Sequence, residues 1–492
     1  MMYNEGTERE SEVRHIRMSW IQLRENRERV LEALSAGHAN EVVMCQATAF
    51  DELAAAMHAF GYWEQLTAIE AELDKDEDDV PNQLLLRELA VLPLLRIPNP
   101  HQAPVYLFQD HGVLRFLGFT LAQIRDGFND KGVRSATGLP RMRPHHRDTL
   151  YNILKAVNLA SLQAFREAHM AALIDHDLLT SGIFLIDGTG LRGSDRHVVI
   201  LQQGGSAPPF IVNWRVRGPG KELEAGRAMV EELRQELGVE AIDWLLMDGA
   251  YVDGAWLAHL QQQGIGAMVR VYEEMQVFQE MQLLSRLPEH RLAPYRYRRT
   301  IQGHQEMHEV ELACFSNLRL WPSYQQAWKK SNHPQEEWPG LWGVLIREER
   351  QTKEGQTEEI EWAVVATKPL VSAAEGFQRW RGRWDVENQG FRELNQGGWL
   401  ETQTWGRSES AVLTSIALKI GAHNCYCLMR TDVGQHLAVT GLRNLQHHLY
   451  GTPAQVLVIV GDEYALLTVE ELVTRLGLHV TDLLDPSLAE RT

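Results

Sequence analysis

Cysteine is scarce in this sequence, which contains four cysteines in 492 residues and no CxxC pair. Without such pairs, neither a zinc ribbon nor a dithiol redox site is expected, and a reducing compartment fits the composition best. Long apolar runs are also absent, since none reaches the roughly 18 residues that a membrane-spanning helix requires. The N-terminal stretch lacks the apolar segment of a signal peptide. The sequence therefore predicts a soluble cytoplasmic protein.

Net positive charge is absent as well. Lysine and arginine number 48 against 66 aspartates and glutamates, which gives a net charge of −18. A field of that sign disfavours indiscriminate binding to polyanions, although it leaves room for a local basic groove. Basic residues gather in three clusters, which are interpreted either as solvated surface or as a path for nucleic acid. The clusters are Arg141, Arg143 and Arg147; Arg291 to Arg299; and Arg379, Arg381 and Arg383.

Motifs for several enzyme classes are missing. Gly188, Gly190 and Gly193 spell GxGxxG, but a strand-like pattern follows them, whereas a dinucleotide site requires a helix to begin there. The GPGKE stretch at 218–222 lacks the spacing and the Ser/Thr of a P-loop. Neither a nucleophile elbow nor a zinc-ligand spacing occurs. Dinucleotide-dependent, P-loop and serine-hydrolase chemistry are therefore not expected.

The length and the changing residue pattern indicate several domains. A chain of this length is too long for one simple core, so two to four domains are expected. Residues 1–178 predict a helical N-terminal region, most clearly at 41–73, and residues 117–128 have the pattern of half a helix-turn-helix. Residues 272–361 predict a β-rich insertion, and residues 408–492 predict a helical C-terminal region.

Between these regions, the order of elements predicts an α/β fold. Three β-type runs with short connections favour antiparallel neighbours, and a helix, a strand, a helix and a strand follow. This is the order of a ribonuclease-H-like catalytic core, which we assign to residues 179–271 and 362–407. The predicted strands are 183–187, 196–203, 209–217, 242–248 and 266–271, and the predicted helices are 222–238 and 252–264.

Two aspartates occupy strand ends in this predicted core. Asp187 and Asp248 each follow an apolar run and precede a glycine. Polar residues at strand ends line the crevice of an open α/β sheet, where ligands bind. Because the two strands are neighbours in the inferred core, we expect the two carboxylates to meet.

A third carboxylate lies on a predicted helix that starts at Ser372, where Ser372 and Glu375 form the pattern of a capping box. Glu387 falls on the apolar stripe of this helix, one turn after Arg383. The alternatives are a surface ion pair with Arg383, worth a few tenths of a kcal/mol, and a ligand site. The stripe consists of Phe377, Trp380, Trp384, Phe391 and Leu394.

Three clustered carboxylates require a cation. At about 4 Å apart they repel by roughly 4 kcal/mol per pair at an effective dielectric constant of 20. Mg²⁺, or Mn²⁺ in its place, suits such a set because it binds through a few carboxylates and completes its shell with water and phosphate oxygens. Two ions could stabilise the attacking and leaving oxygens of a phosphodiester. Asp187, Asp248 and Glu387 are therefore the predicted metal ligands.

Three blocks of the sequence resemble the DDE transposases of bacterial insertion sequences, in the group with a Y-x2-R-x3-E-x6-K signature helix and a β-rich insertion before it. The LIDGT block with Asp187 is similar to the first-Asp strand of that family. Residues 245–271, with Asp248 and Arg270, are similar to its second-Asp segment, and residues 379–395 to its signature helix.

The resemblance implies a transposase that cleaves the ends of its element in a metal-dependent reaction and joins them to target DNA. Its partners would be the terminal inverted repeats, target DNA and a second copy of the chain, in the bacterial cytoplasm and at the nucleoid when bound. The helical N-terminal region would recognise the ends. The implied catalytic residues are Asp187, Asp248 and Glu387, and the implied DNA contacts are Trp380, Arg383, Arg270 and Arg392.

Two positions depart from the signature. Trp380 stands where the family has tyrosine, and Leu394 stands where it has the closing lysine. If Gly390 is an inserted residue, Asn395 aligns with that lysine instead. Two alternative functions stay open. One is a structure-specific nuclease on the same core, and the other is a retired transposase that binds DNA or partner proteins without catalysis.

Overall fold

The computed structural model describes residues 23–477 apart from a set of short gaps. Arg141 of the first basic cluster, Gly193 of the GxGxxG stretch and the outer ends of the two predicted helical regions lie outside the described residues. The gaps are 74–79, 129–142, 193, 206–207, 302–303, 331–337, 352–356, 399, 402–403, 433–441 and 452.

A nine-stranded mixed sheet forms the centre of the described fold, in the order β5-β4-β3-β6-β7-β11-β10-β9-β8. Strands β3, β6 and β7 are parallel to one another, and every other neighbouring pair is antiparallel. The α/β prediction is thereby confirmed at the level of a large mixed sheet with helices. Its strands are β3 (Ile183–Gly190), β4 (His197–Gln203), β5 (Ile211–Arg217), β6 (Trp244–Met247), β7 (Gly266–Val271), β8 (Ala293–Ile301), β9 (His304–Leu318), β10 (Leu341–Gln351) and β11 (Thr357–Ala366).

Helices precede, interrupt and follow the strands of this sheet in the sequence. Those before it in sequence are α1 (Arg27–Ser35), α2 (Phe50–Ala59), α3 (Tyr62–Gln65), α4 (Asn82–Val91), α5 (Ala103–Tyr106), α6 (His111–Leu117), α7 (Leu121–Asp126), α8 (Asp148–Ala156) and α9 (Leu159–Asp175). Those within and after it are α10 (Glu222–Leu237), α11 (Gly254–Gln262), α12 (Gln276–Leu284), α13 (Pro322–Lys330), α14 (Ala373–Arg381), α15 (Arg392–Gly398), α16 (Glu409–Asp432), α17 (Leu442–Leu449) and α18 (Val469–Arg475).

The two faces of the large sheet bury different sets of helices. Successive side chains of a strand point to opposite faces of the sheet. Leu185 belongs to a core with Phe377 of α14 and Ile416 of α16. Its neighbour Ile186 belongs to a second core with Met229 of α10 and residues of α11, α12 and α13. Alternation along β3 therefore decides that Asp187 lies on the α14 and α16 face.

A second, four-stranded sheet joins the two ends of the described chain, in the order β1-β13-β12-β2. It corrects two predictions, because β2 lies in the predicted helix at 41–73 and β12 and β13 lie in the predicted helical C-terminal region. The β-branched Val42 and Val43 favour a strand, and their partner β12 lies about 410 positions further on, beyond the reach of a local pattern. These strands are β1 (Arg24–Glu25), β2 (Glu41–Cys45), β12 (Gln455–Val460) and β13 (Glu463–Leu467).

The helix-turn-helix-like segment at 117–128 begins at the last residue of α6 and contains the short helix α7. Gly118 ends α6 with a φ of 104°, and Thr120 begins α7 with a reciprocal capping box to Gln123. No helix in the described part of the chain combines the length and apolar character that crossing a bilayer requires.

Candidate active site

Three polar residues form a row across the parallel strands of the large sheet. Ile186 of β3 pairs with Met247 of β6, which in turn pairs with the residue before Arg270 in β7. The next residues along the chain are Asp187, Asp248 and Arg270, so the three lie side by side where the parallel ladder ends. The prediction that the two aspartate-bearing strands are neighbours is confirmed.

Asp187 does not end its strand, which corrects the predicted boundary. Strand β3 continues to Gly190 in the antiparallel ladder with β4, in which Asp187 pairs with Ile200. Only the parallel pairing with β6 stops, after Ile186. Asp187 therefore has a rigid strand on one side and an open edge on the other.

The Asp187 carboxylate is buried and bridged. Its side chain is 13% exposed, its Oδ1 accepts a 2.8 Å bond from the Gly188 N–H, and its Oδ2 accepts a 2.9 Å bond from Arg383 Nη1. Burial raises the pKa of Asp187 to about 6, against the lowering effect of Arg383 and of the Gly188 N–H. The charges of Asp248 and Glu387 raise the pKa of Asp187 further, so both carboxylates lie near enough to act on Asp187 electrostatically.

Arg383 connects the sheet to the segment that carries Glu387. Its Nη2 donates a 3.1 Å bond to Glu387 Oε1, while Nη1 holds Asp187. The Arg383 side chain is only 5% exposed, and its Nε has no hydrogen-bond partner. Glu387 is 54% exposed. The predicted ion pair between Arg383 and Glu387 exists, but it is one half of a bridge whose other half is Asp187.

The predicted single helix from Ser372 is interrupted. Ser372 Oγ accepts a bond from the Glu375 N–H, as predicted, but the Glu375 side chain pairs with Arg379 at 2.7 Å instead of completing the capping box. Helix α14 ends at Arg381, a turn follows, and the chain then forms a π-helical segment at Val386–Phe391 before α15 begins. Glu387 lies in this π-helical segment, a feature that is frequent at functional sites.

Gly390 lies inside the π-helical segment, which takes up one residue more per turn than an α-helix. Its backbone is pressed against β4, since a Cβ atom at this position would lie 2.2 Å from Gln202 Oε1 and 3.3 Å from Ile200 Cδ1. The Gln202 side chain is fully buried. The close approach explains why the residue here has no side chain.

Replacing Gly390 with alanine is expected to destabilise the fold by about 1–2 kcal/mol, because the buried Gln202 amide must move to admit a methyl group. Urea unfolding followed by circular dichroism measures this. Gly218→Ala is the matched control, since no atom lies within 4 Å of the Cβ it would add, and it should change stability by less than about 0.5 kcal/mol. Equal stability of both variants would show that Gly390 is not under steric constraint.

The remaining predicted DNA-contact residues lie in contrasting places. Arg270 is exposed and its guanidinium lies 5.8 Å from the ring centroid of Trp362. Arg392 is exposed at the start of α15. Trp380 is only 4% exposed, its ring packs 4.8 Å from that of Trp362, and its indole N–H has no acceptor. Trp380 therefore packs in the core here, and Arg270 and Arg392 are the side chains that face outwards.

The carboxylates fit a divalent cation by their chemistry, with one condition. Within the described ranges, no three His, Cys, Asp or Glu side chains lie close enough together to hold a metal ion. The Arg383 guanidinium occupies that role as the cation between Asp187 and Glu387. Hard carboxylate oxygens are the ligands of Mg²⁺ and Mn²⁺, so Asp187, Asp248 and Glu387 would hold such an ion once Arg383 releases a carboxylate.

Sequence reasoning missed a second link between β3 and the signature segment. Glu401 accepts hydrogen bonds from Thr189 and from Asn395. Thr189 could have been found, because it lies two residues after Asp187 and so on the same face of β3. No local pattern identifies Glu401, since its position depends on how the chain returns after α15.

Comparison with models of known protein families and with curated proteins finds no match to this chain.

Proposed function

We propose that this chain is a transposase that cleaves and joins DNA strands at the ends of an insertion sequence, on a ribonuclease-H-like core with a β-rich insertion. The observation that carries the proposal is the row of Asp187, Asp248 and Arg270, with Arg383 holding Glu387 against it. Asp187 and Asp248 follow neighbouring parallel strands, and Glu387 is joined to Asp187 through Arg383, beside the exposed Arg270 and Arg392. That combination suits a substrate made of phosphodiesters.

The strand order supports the proposed core. Strands β5-β4-β3-β6-β7 run as three antiparallel strands followed by two parallel additions, which is the order inferred for a ribonuclease-H-like fold. Strands β8 to β11 extend the same sheet, with β11 paired to β7, and correspond to the proposed β-rich insertion. The catalytic row lies at the centre of the sheet and away from both edges, so its backbone is held by pairing on both sides.

The chain's own residues have distinct roles in the proposed reaction. A bound pair of Mg²⁺ or Mn²⁺ ions would supply charge neutralisation at the scissile phosphate. Asp187, Asp248 and Glu387 would hold the ions, and Asp187 is fixed by its strand. Arg383 pairs with Asp187 and Glu387 in the free protein and would turn to a DNA phosphate in the complex, where its planar fork suits phosphate oxygens. Arg270 and Arg392 contact the DNA backbone beside it, and Trp380 supports Arg383 from below, 5.4 Å from ring centroid to guanidinium.

A homodimer on DNA is part of the proposal, because both ends of one element must be cut together. The helical N-terminal region would bind the terminal inverted repeats. Its helix-turn-helix-like segment at 117–128 contains α7 and follows α6.

The decisive experiment supplies the full chain with the DNA that flanks its coding region. We expect short inverted repeats there, and we expect linear DNA carrying them to be cut at the repeat in the presence of Mg²⁺ and joined to a target plasmid. Products are resolved on a sequencing gel and by sequencing of the junctions. Cleavage without joining would instead support the structure-specific nuclease. Absence of both cleavage and repeat-specific binding would overturn the proposal.

One observation favours the retired transposase as a second candidate. An uncompensated acidic cluster would be costly in a protein without catalytic use for it, but Arg383 compensates Asp187 and Glu387 here. The cluster is therefore tolerable without metal ions. Repeat-specific DNA binding without Mg²⁺-dependent cleavage would support this candidate.

A further inference from the structure

A polar clasp, consisting of Thr189, Asn395 and Glu401, joins β3 to α15 beyond the π-helical segment. Glu401 Oε1 accepts a 2.5 Å bond from Thr189 Oγ1 and a 2.6 Å bond from Asn395 Nδ2. Asn395 Oδ1 in turn accepts a 2.9 Å bond from the Glu401 N–H. One carboxylate oxygen thus connects two elements that are about 200 positions apart in the sequence.

The returning chain is fixed on both sides of the clasp. The Leu400 N–H donates to the Leu394 carbonyl at 3.1 Å, and the Glu401 carbonyl accepts from the Arg192 N–H at 2.9 Å. Leu394 and Leu400 are fully buried. Glu401 is therefore held by backbone bonds and apolar packing, and its carboxylate is presented to Thr189 in a defined place.

The clasp lies beside the catalytic row. Thr189 is two residues from Asp187, so the two side chains lie on the same face of β3, about 7 Å apart along the strand. Asn395 follows Glu387 by eight residues and lies in α15, beyond the end of the π-helical segment. Glu387 is therefore held on both sides. Arg383, before Glu387 in the chain, bonds to Asp187 of β3, and the clasp, after Glu387, bonds to Thr189 of the same strand.

Attachment on both sides matters because a π-helical segment is a rare, single-turn irregularity in a helix. The segment packs against β4 through Gly390, and the clasp adds a hydrogen-bonded attachment to β3 after it. Catalytic groups must be held within about 0.5 Å of their productive geometry. A displacement of about 1 Å can cost about 100-fold in rate.

We propose that Thr189, Asn395 and Glu401 are positioning residues that set the distance of Glu387 from Asp187. This inference rests on the proposed function. Asn395 is also the position that aligns with the closing lysine of the signature if Gly390 is an inserted residue. The neutral amide there binds Glu401 instead of carrying a positive charge.

The test compares Thr189→Val, which keeps the shape of the side chain and removes the hydroxyl, with Thr189→Ser, which keeps the hydroxyl. We expect Thr189→Val to lower the single-turnover rate of Mg²⁺-dependent strand cleavage by about 10- to 100-fold. The dissociation constant for repeat DNA, measured by fluorescence anisotropy in EDTA, should change by less than about twofold. Thr189→Ser should keep the wild-type rate.

Substitutions at Glu401 test whether the clasp depends on its hydrogen bonds or on its negative charge. Glu401→Gln retains an acceptor oxygen for Thr189 and should keep a rate within about threefold of wild type, whereas Glu401→Ala should match Thr189→Val. The double variant Thr189→Val with Asn395→Ala should be no slower than the slower single variant, because both remove the same link.

The outcomes distinguish this inference from the proposed function. A wild-type chain that neither cuts nor joins repeat DNA overturns both. If the wild type cuts DNA and Asp187→Asn does not, but Thr189→Val keeps the wild-type rate, only the clasp is overturned. A fall in rate that is matched by an equal loss of DNA affinity or by early unfolding in urea would also overturn it, since it would indicate a structural role alone.

Discussion

Asp187→Asn is expected to leave the fold intact and to lower metal-dependent strand cleavage by at least about 1,000-fold, as is usual when one member of a catalytic unit is removed. The amide has the same shape, and its oxygen can still accept the Gly188 N–H bond. Glu387 remains to pair with Arg383. What disappears is the negative charge of the buried Asp187 side chain, and with it one ligand of the proposed divalent cation. Single-turnover cleavage of labelled repeat DNA, with circular dichroism of the same sample, measures both parts.

Glu387→Gln and Asp248→Asn should behave in the same way. Two nearby acids serve as controls. Asp253 caps α11 and pairs with Arg227, and Asp385 precedes Glu387 by two residues without bonding to the catalytic row. Asp253→Asn and Asp385→Asn should keep cleavage within a few-fold of wild type. If either control abolished cleavage as fully as Asp187→Asn, the assignment of the three carboxylates would be wrong.

The elements of the core were predictable from the sequence because their signals are local. The strand at Gly266–Val271 has the predicted bounds, and α10 and α11 lie within one or two residues of theirs. Strong apolar periodicity identified them, and glycines with positive φ end them, at 91° for Gly238 and 74° for Gly264. The neighbouring placement of Asp187 and Asp248 followed from the order of these elements.

Elements that depend on distant partners were not predictable. Strand β2 forms because β12 pairs with it. Its own residue pattern does not differ from that of the predicted helix at 41–73. The same limit applies to the site. Sequence spacing identified Glu387 as a local partner of Arg383. It could not identify Asp187, 196 positions away, to which Arg383 makes the shorter bond.

The break in the signature segment has a similar origin. Its apolar residues repeat at helical spacing, and Phe377, Phe391 and Leu394 are buried as a regular helix would require. The spacing cannot distinguish an unbroken α-helix from two α-helices separated by a turn and a π-helical segment, because both keep the same side chains against the sheet. A glycine at position 390 was the mark of the break that the sequence contains. Its structural role, the close contact with Gln202, could be recognised only from the fold.

Arg383→Gln is expected to destabilise the metal-free protein by about 3 kcal/mol at pH 8, and by much less at pH 5. The Arg383 charge lowers the pKa of Asp187, which burial raises to about 6, so removing Arg383 moves this pKa higher. A carboxyl group whose pKa is raised by folding loses stability as the pH rises from its unfolded value to its folded value. In the wild type this loss ends near pH 6, whereas in Arg383→Gln it continues above pH 6, and the difference between the two chains grows there.

Urea unfolding in EDTA at pH 5, 6, 7 and 8 measures that difference, and Arg379→Gln is the control. Arg379 lies in α14, four residues before Arg383, pairs with Glu375 and stacks 4.2 Å from the Trp244 ring. Its loss should therefore cost the same at every pH from 6 to 8. Because Arg383 and a divalent cation compete for the same oxygens, adding Mg²⁺ or Mn²⁺ at pH 8 should stabilise Arg383→Gln more than the wild type. A cation concentration of 100 times the dissociation constant would raise the free energy of unfolding by about 2.7 kcal/mol. Equal stabilisation of the two chains would mean that Arg383 does not compete with a cation for these carboxylates, and that its ion pairs have a structural role only.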